Sequence, residues 1–395
     1  MADDTPARSL ASALAARTRT DAADWHAVFQ ARYGMLAAFR ALRAAHGAGS
    51  VVTQLYTCCT AVTPIIEAGL EPVYADISPR SAAIDAHRLQ IPSGARAVML
   101  QHTYGVVDAQ GAAELVRAAH EAGIPVFEDC AHCVGRLVRG ADGAPLADAS
   151  FHSFGVEKMI DGTHFGGAVW VNPASPFAAE AAIIRAELEA LPEPPARLDA
   201  LVRVYRVENG ILAHLPGGLS SKLRHGLAAR RLFEPAVSDA ELDGAAPHGP
   251  MRASAWICRE ALTGLTGLDA AEAVRRETVA AYRDAFAGMP GVETLPAACQ
   301  GEPQPLLRFP IFLSDTATAD RAIAAVRAAG LFAQAWYRPE LGPGVRDGAA
   351  YRVPADRSGL AVHERFVATV AALPADVGAS GARRAAEAVA AVVSS

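Results

Sequence analysis

Four residues set the chemistry open to this chain. Lys158 sits in FHSFGVEKMIDGTHFGG, residues 151–167, a segment otherwise rich in apolar and small residues. An ammonium group among apolar neighbours loses hydration, so its pKa falls and the neutral amine becomes nucleophilic. A Schiff-base lysine needs that property. Alone the signal is weak, because most lysines are solvated surface groups. Asp129 strengthens it by closing the apolar run VFED. An isolated acid there usually caps a helix or holds magnesium. Paired with a lysine further along, it suggests pyridoxal phosphate, whose pyridine nitrogen needs a carboxylate to remain protonated as an electron sink. Ser153, five residues before Lys158, offers a hydroxyl to a phosphate. Gly34 in ARYGMLAAFRALRAAHG opens a helix whose first N–H groups can hold a dianion.

Such residues need a scaffold, and residues 50–172 supply an alternating pattern. SVVTQL, EPVYADI, ARAVMLQ, IPVFED and GGAVWVN read as strands; residues 61–68 and AAELVRAAHEAG read as helices. Short β-rich runs between amphipathic helices predict a mostly parallel α/β sheet, which binds ligands at the carboxyl ends of its strands. The character changes near Asn172. Residues 176–249 are helical and polar with Pro and Gly punctuation, and RASAWICREALTGL and AAEAVRRETVAAYRDAFAGM are amphipathic helices. The last hundred residues hold a strand (LLRFPIFL), a helix (TADRAIAAVRAAG), a strand (LFAQAWY) and a helix (ARRAAEAVAAVV). The expected division is a large domain over 1–175, a helical insertion over 176–249, a linking helix over 250–285 and a small α/β domain over 286–395.

The ordered runs AGLEPVYADI, QHTYGVVDA, VFEDCAHCVG, SFGVEK and FGGAVWVN, followed by MRASAWICREALTGL and AVHERFVATVAALPADVG, resemble the DegT/DnrJ/StrS sugar aminotransferases, enzymes of pyridoxal-phosphate fold type I. The resemblance implies a mostly parallel seven-stranded-type sheet in the large domain. It implies Lys158 as covalent anchor and proton shuttle, Asp129 on the pyridine nitrogen and His132 against the ring hydroxyl. It places Ser153 and the backbone of Gly34 and Met35 on the phosphate. Tyr33-Gly34-Met35 replaces the family's Ser-Gly-Thr, and Cys58 stands where an aromatic stacks on the cofactor, with Tyr56 as its substitute. The implied reaction moves an amine from an amino acid, glutamate by resemblance, to a keto sugar nucleotide or related ketone. A homodimer with sites at the interface is implied as well. A lyase or non-sugar transaminase on the same fold, and a pyridoxal-phosphate-binding regulator without turnover, are the rival readings.

Composition narrows the field further. The chain has 395 residues, 51% of them hydrophobic and 20% charged, with a formal net charge of −6 and no basic block of the kind that tracks nucleic acid. The N-terminal stretch lacks an apolar secretory core, and no apolar run reaches the roughly 18 residues of a membrane span, so a soluble cytoplasmic protein is expected. The six cysteines (Cys58, Cys59, Cys130, Cys133, Cys258 and Cys299) are expected to stay reduced. Cys130-Ala-His-Cys133 has no second ligand pair in sequence, so no metal site is expected.

Overall fold

The computed structural model of the chain describes residues 5–160 and 165–394; residues 161–164 of the lysine segment lie outside them. Helix α1 (Thr5–Thr18) leads to strand β1 (Trp25–Val28) and helix α2 (Ala31–His46). There follow β2 (Ser50–Thr53), α3 (Cys59–Glu67), β3 (Glu71–Tyr74), β4 (Ala95–Gln101), α4 (Ala109–Glu121), β5 (Val126–Asp129), β6 (Ala149–Ser153) and β7 (Gly167–Val171). These strands form one seven-stranded sheet in the order β1-β7-β6-β5-β4-β2-β3. β3, β2, β4, β5 and β6 run parallel, and β7 is antiparallel to both its neighbours. Every residue of β2, β5 and β7 is buried. Helices cover both faces of a parallel sheet, so its strands read as continuous apolar runs rather than alternating ones.

The register decides which side chains meet. Gln101 pairs with Asp129, and Asp129 with Phe151, so β4, β5 and β6 end nearly level. Their carboxyl ends present Gln101, Asp129 and Ser153 along one rim. β1 hands the chain to α2 at the same rim, where Gln30 bridges Gly166 at the foot of β7.

Residues 176–249 carry α5 (Ala178–Glu189), α6 (Ala196–Ala213), α7 (Gly217–Ala229) and the single turn α8 (Asp239–Leu242). α9 (Ala255–Thr266) and α10 (Leu268–Phe286) follow, then β8 (Glu293–Thr294), α11 (Pro296–Cys299), β9 (Arg308–Phe312), α12 (Thr316–Ala328), α13 (Ala361–Thr369), β10 (Val370–Pro374) and α14 (Gly378–Val393). The last three strands make an antiparallel sheet, β10-β9-β8. Tyr282 and Phe286 of α10 pack on Phe309 of β9 with ring centroids 4.9 and 6.1 Å apart, so the C-terminal half of α10 belongs to this second core.

Two expected strands differ. SVVTQL stops at Thr53 because the Gln54 amide turns inward, donating to the carbonyls of Tyr56 and Ala82 at 2.8 and 3.0 Å. LFAQAWY forms no strand: it touches the small sheet through one bridge, Gln334 to Ala372. Trp336 and Tyr337 leave that register to pack against His132. No helix among the described residues is long and apolar enough to cross a membrane.

Candidate active site

Lys158, Asp129, His132, Ser153, Cys58 and Met35 line one cavity of about 510 Å³ at the carboxyl ends of the parallel strands. The Lys158 ammonium lies 5.4 Å from the Trp336 ring centroid, within cation–π range. Burial pushes its pKa below the ordinary lysine value, against the opposing pull of Cys58, Asp129 and Glu157. Burial keeps the amine easier to deprotonate than a surface lysine.

Asp129 is 5% exposed, and its Oδ1 accepts the Ala131 N–H at 2.9 Å. Among the described residues Oδ2 has no hydrogen-bond partner. Burial raises the carboxyl pKa, offset in part by the Ala131 N–H and by Lys158. A cationic N–H in the cavity would complete this carboxylate and favour its charged form.

His132 accepts the backbone N–H of Tyr104 at Nδ1, 3.1 Å away. That bond places the imidazole proton on Nε2, which lies 3.4 Å from the Tyr337 hydroxyl. Burial, then Lys158, hold this histidine well below its usual pKa, so the ring is a neutral donor. Ser153 Oγ accepts the Gly155 N–H at 3.2 Å, which leaves its hydroxyl proton for an acceptor in the cavity. Cys58 caps the start of α3. Its thiol is pulled below the ordinary value by the hydrogen bond with Cys59 and by nearby Lys158, against burial.

Two residues read from the sequence as cofactor contacts are placed elsewhere. Gly34 lies in the second turn of α2, where its N–H already reaches the Gln30 carbonyl at 3.4 Å. A Cβ on Gly34 would stand 2.4 Å from Val169 Cγ2, so this glycine lets α2 approach β7 and offers nothing to a phosphate. Ala31 and Arg32 open the helix at the cavity, and Met35 lines it as well. Tyr56 is fully buried in the second core, its hydroxyl 2.7 Å from that of Tyr104 and its ring edge-on to Tyr337. It does not reach the cavity.

The sequence reading missed Arg32, Trp336 and Tyr337. Arg32 lines the cavity and is ion-paired with Glu241, with a second bond to the Ala236 carbonyl at 2.8 Å. Trp336 lies 4.8 Å from the His132 ring. Its loop is fastened by Glu340, which accepts from Arg357 at 2.5 and 2.8 Å and from His363 at 2.6 Å. Only the adjacent aromatics Trp336 and Tyr337 at the end of LFAQAWY hinted at this, and they read equally well as strand residues.

His102 joins Cys130 and Cys133, their ligand atoms all within 4.8 Å of one another. One histidine thus approaches the CxxC, but no second pair of ligands does among the described residues. His102 Nε2 is bound to Glu128 at 2.6 Å, and Cys133 and Glu128 outweigh burial to favour its protonated form. The Cys130 thiol donates to the Arg136 carbonyl at 3.2 Å. With His102 Nε2 committed to Glu128, the cluster offers three groups, one short of a structural zinc site. Elemental analysis of purified protein is expected to find well under one zinc per chain. Stoichiometric zinc that disappears in Cys130→Ser/Cys133→Ser would refute this.

Comparison with known proteins places these features. A 195-residue stretch is 26% identical to the pleiotropic regulatory protein of Geobacillus stearothermophilus, covering 48% of this chain and 52% of that protein. A 113-residue stretch is 31% identical to GDP-perosamine synthase of Vibrio cholerae, covering 28% and 30%. The chain thus spans about half the length of the first of these relatives, and less of the second. In fold the likeness runs the whole length. The PLP form of the putative sugar aminotransferase Spr1654 from Streptococcus pneumoniae superposes with a TM-score of 0.70 at 17% identity, covering 98% of this chain and 91% of that one. The expected fold type I architecture is therefore present. Residues 13–187, which carry Asp129, His132, Ser153 and Lys158, match the model of the DegT/DnrJ/EryC1/StrS aminotransferase family.

Proposed function

We propose that this protein is a pyridoxal-phosphate aminotransferase that moves an amine from an amino acid, glutamate in the first instance, to a keto sugar nucleotide or related ketone. The observation that carries the reading is the convergence of Lys158 Nζ and the half-unpartnered Asp129 carboxylate on one cavity beside a neutral histidine. Those residues fit the cofactor. Asp129 Oδ2 lacks the donor that a pyridinium nitrogen provides, His132 Nε2–H can donate to a ring hydroxyl, and Ser153 with the start of α2 can hold a phosphate. When bound, pyridoxal phosphate supplies an electron sink for charge developing at the substrate Cα. Lys158 would hold it and would carry the proton to and from the substrate Cα. Asp129 holds the ring-nitrogen proton in place. Trp336 shields the amine from bulk water.

The sugar-modifying names among the relatives support the acceptor class. The exposed stripe Val204, Val207 and Ile211 on α6 supports a homodimer, as does the family reading. The large domain, the helical insertion, the linking helix and the small domain, in a cytoplasmic protein, complete the proposal. Borohydride reduction of protein loaded with pyridoxal phosphate, followed by peptide mass mapping, is expected to place the label on Lys158. Label on another lysine, or none, would remove the reading.

A further inference from the structure

Three guanidinium groups converge on residues 305–307, the irregular stretch just before β9. Arg136, in the loop after β5, donates through Nη2 to the carbonyls of Gly105 and Pro305 at 2.9 and 3.3 Å. Arg275 of α10 donates through Nη1 to the carbonyls of Leu306 and Leu307 at 3.0 and 3.1 Å. Arg308, the first residue of β9, donates through Nη1 to the Leu307 carbonyl as well, at 2.9 Å. Two guanidiniums therefore share one carbonyl oxygen. Leu307 packs in the core of the large sheet and Leu306 in the second core, so the cluster sits on the seam between them. Arg275 and Arg308 are 7% and 8% exposed, and Arg136 is half-buried.

The charge at this seam is poorly matched. Carbonyl oxygens satisfy part of each fork but cancel no net charge. Among the described residues, the one carboxylate within ion-pair distance of any of the three is the half-exposed Asp376, 3.6 Å from Arg275 Nη2. Glu272, one turn before Arg275, is spent on Arg17 and Arg276 at 2.6 and 3.0 Å. None of the three buried Nε–H groups finds an acceptor among the described residues. Burial lowers the Arg275 pKa, and Arg308 and Arg136 lower it further, against Asp376 and Glu272, so the cations act on one another. A segment that needed only hydrogen-bond donors would be served by neutral amides, without the cost of burying charge.

We propose that Arg136, Arg275 and Arg308 bind a phosphate dianion, free or as a monoester, at the seam between the loop after β5 and the second core. Three cations facing one distant carboxylate leave an excess that a dianion meets better than a monocarboxylate does, and guanidinium forks match its oxygens. None of the three arginines lines the reaction cavity, so the site is separate from it and does not rest on the transaminase reading. A bound phosphate would tie the loop after β5, α10 and β9 together and relieve the repulsion among them.

Thermal unfolding of the full chain tests this. Inorganic phosphate is expected to raise Tm saturably, by about 2 °C at ten times its Kd, beyond sodium chloride of matched ionic strength. Arg308→Met should abolish that rise. Arg136→Gln should weaken phosphate about tenfold, and it decides the matter if Arg308→Met fails to fold. Ser153→Ala, in the reaction cavity, should keep the rise. The readout is the phosphate increment rather than Tm itself, which loss of a purely structural brace would also lower. Glycerol 3-phosphate separates the two sources: an equal rise assigns a monoester and a smaller one the free ion. No gain over sodium chloride in the parent, or a full rise in folded Arg308→Met or Arg136→Gln, would overturn the proposal. So would its loss in Ser153→Ala, which would put the ion in the reaction cavity.

Discussion

Replacing Lys158 with alanine is expected to lower amine transfer by about 10⁴-fold, because one change removes both a covalent anchor and a general acid–base. The amine is placed for both roles. It faces the 510 Å³ cavity beside Trp336, and burial depresses its pKa below the ordinary lysine value, which eases loss of its proton. Lys158→Arg keeps the charge but supplies a guanidinium that neither attaches nor deprotonates, and it should be equally inactive. The loss is chemical rather than structural. The side chain is only partly buried, so removing it is expected to shift stability by no more than about 1 kcal/mol. A single-turnover assay with small added amines separates the two roles. Methylamine should restore part of the proton transfer in Lys158→Ala and nothing in Lys158→Arg, whose bulk fills the position. Activity of Lys158→Ala near that of the parent would take the residue out of the chemistry.

Asp129→Asn is expected to slow transfer by about 10²–10³-fold while the cofactor still binds, the loss seen when one preorganised charge is withdrawn from a dry site. The amide keeps the size and the bond from Ala131, but it cannot hold a proton on a ring nitrogen. A second readout follows from the electrostatics and needs no cofactor. The Asp129 carboxylate favours the Lys158 ammonium, opposing burial. Removing that charge must lower the lysine pKa further. At any pH below it, the neutral fraction of Lys158 rises, and a neutral amine-directed reagent should label it faster in the variant. The pH profile of labelling should shift to lower pH. A shift the other way, or parent-like turnover, would show that Asp129 does not face the amine or the ring.

The sequence by itself determined the sheet strands whose middles are apolar. ARAVMLQ matches β4 residue for residue, because Ala97 to Leu100 are buried and read as one apolar run between Arg96 and Gln101. Lys158, Asp129 and Ser153 were legible for a related reason: polar groups at the ends of apolar runs need an explanation that packing does not supply. β6, with Ser150, His152 and Ser153 among its five residues, was not legible, although His152 is fully buried between its neighbours. Only tertiary structure decided the rest of the site. Gly34 and Tyr56 looked like cofactor contacts by their neighbours in sequence, but the approach of α2 to β7 and the closure of the second core claimed them. Arg32, His102 and Trp336 entered through partners more than twenty residues away in the chain: Glu241, Glu128 and His132. Local pattern reports whether a residue is buried. Which distant group it is buried against depends on strand order and on how the second core docks, and neither leaves a periodicity in the chain.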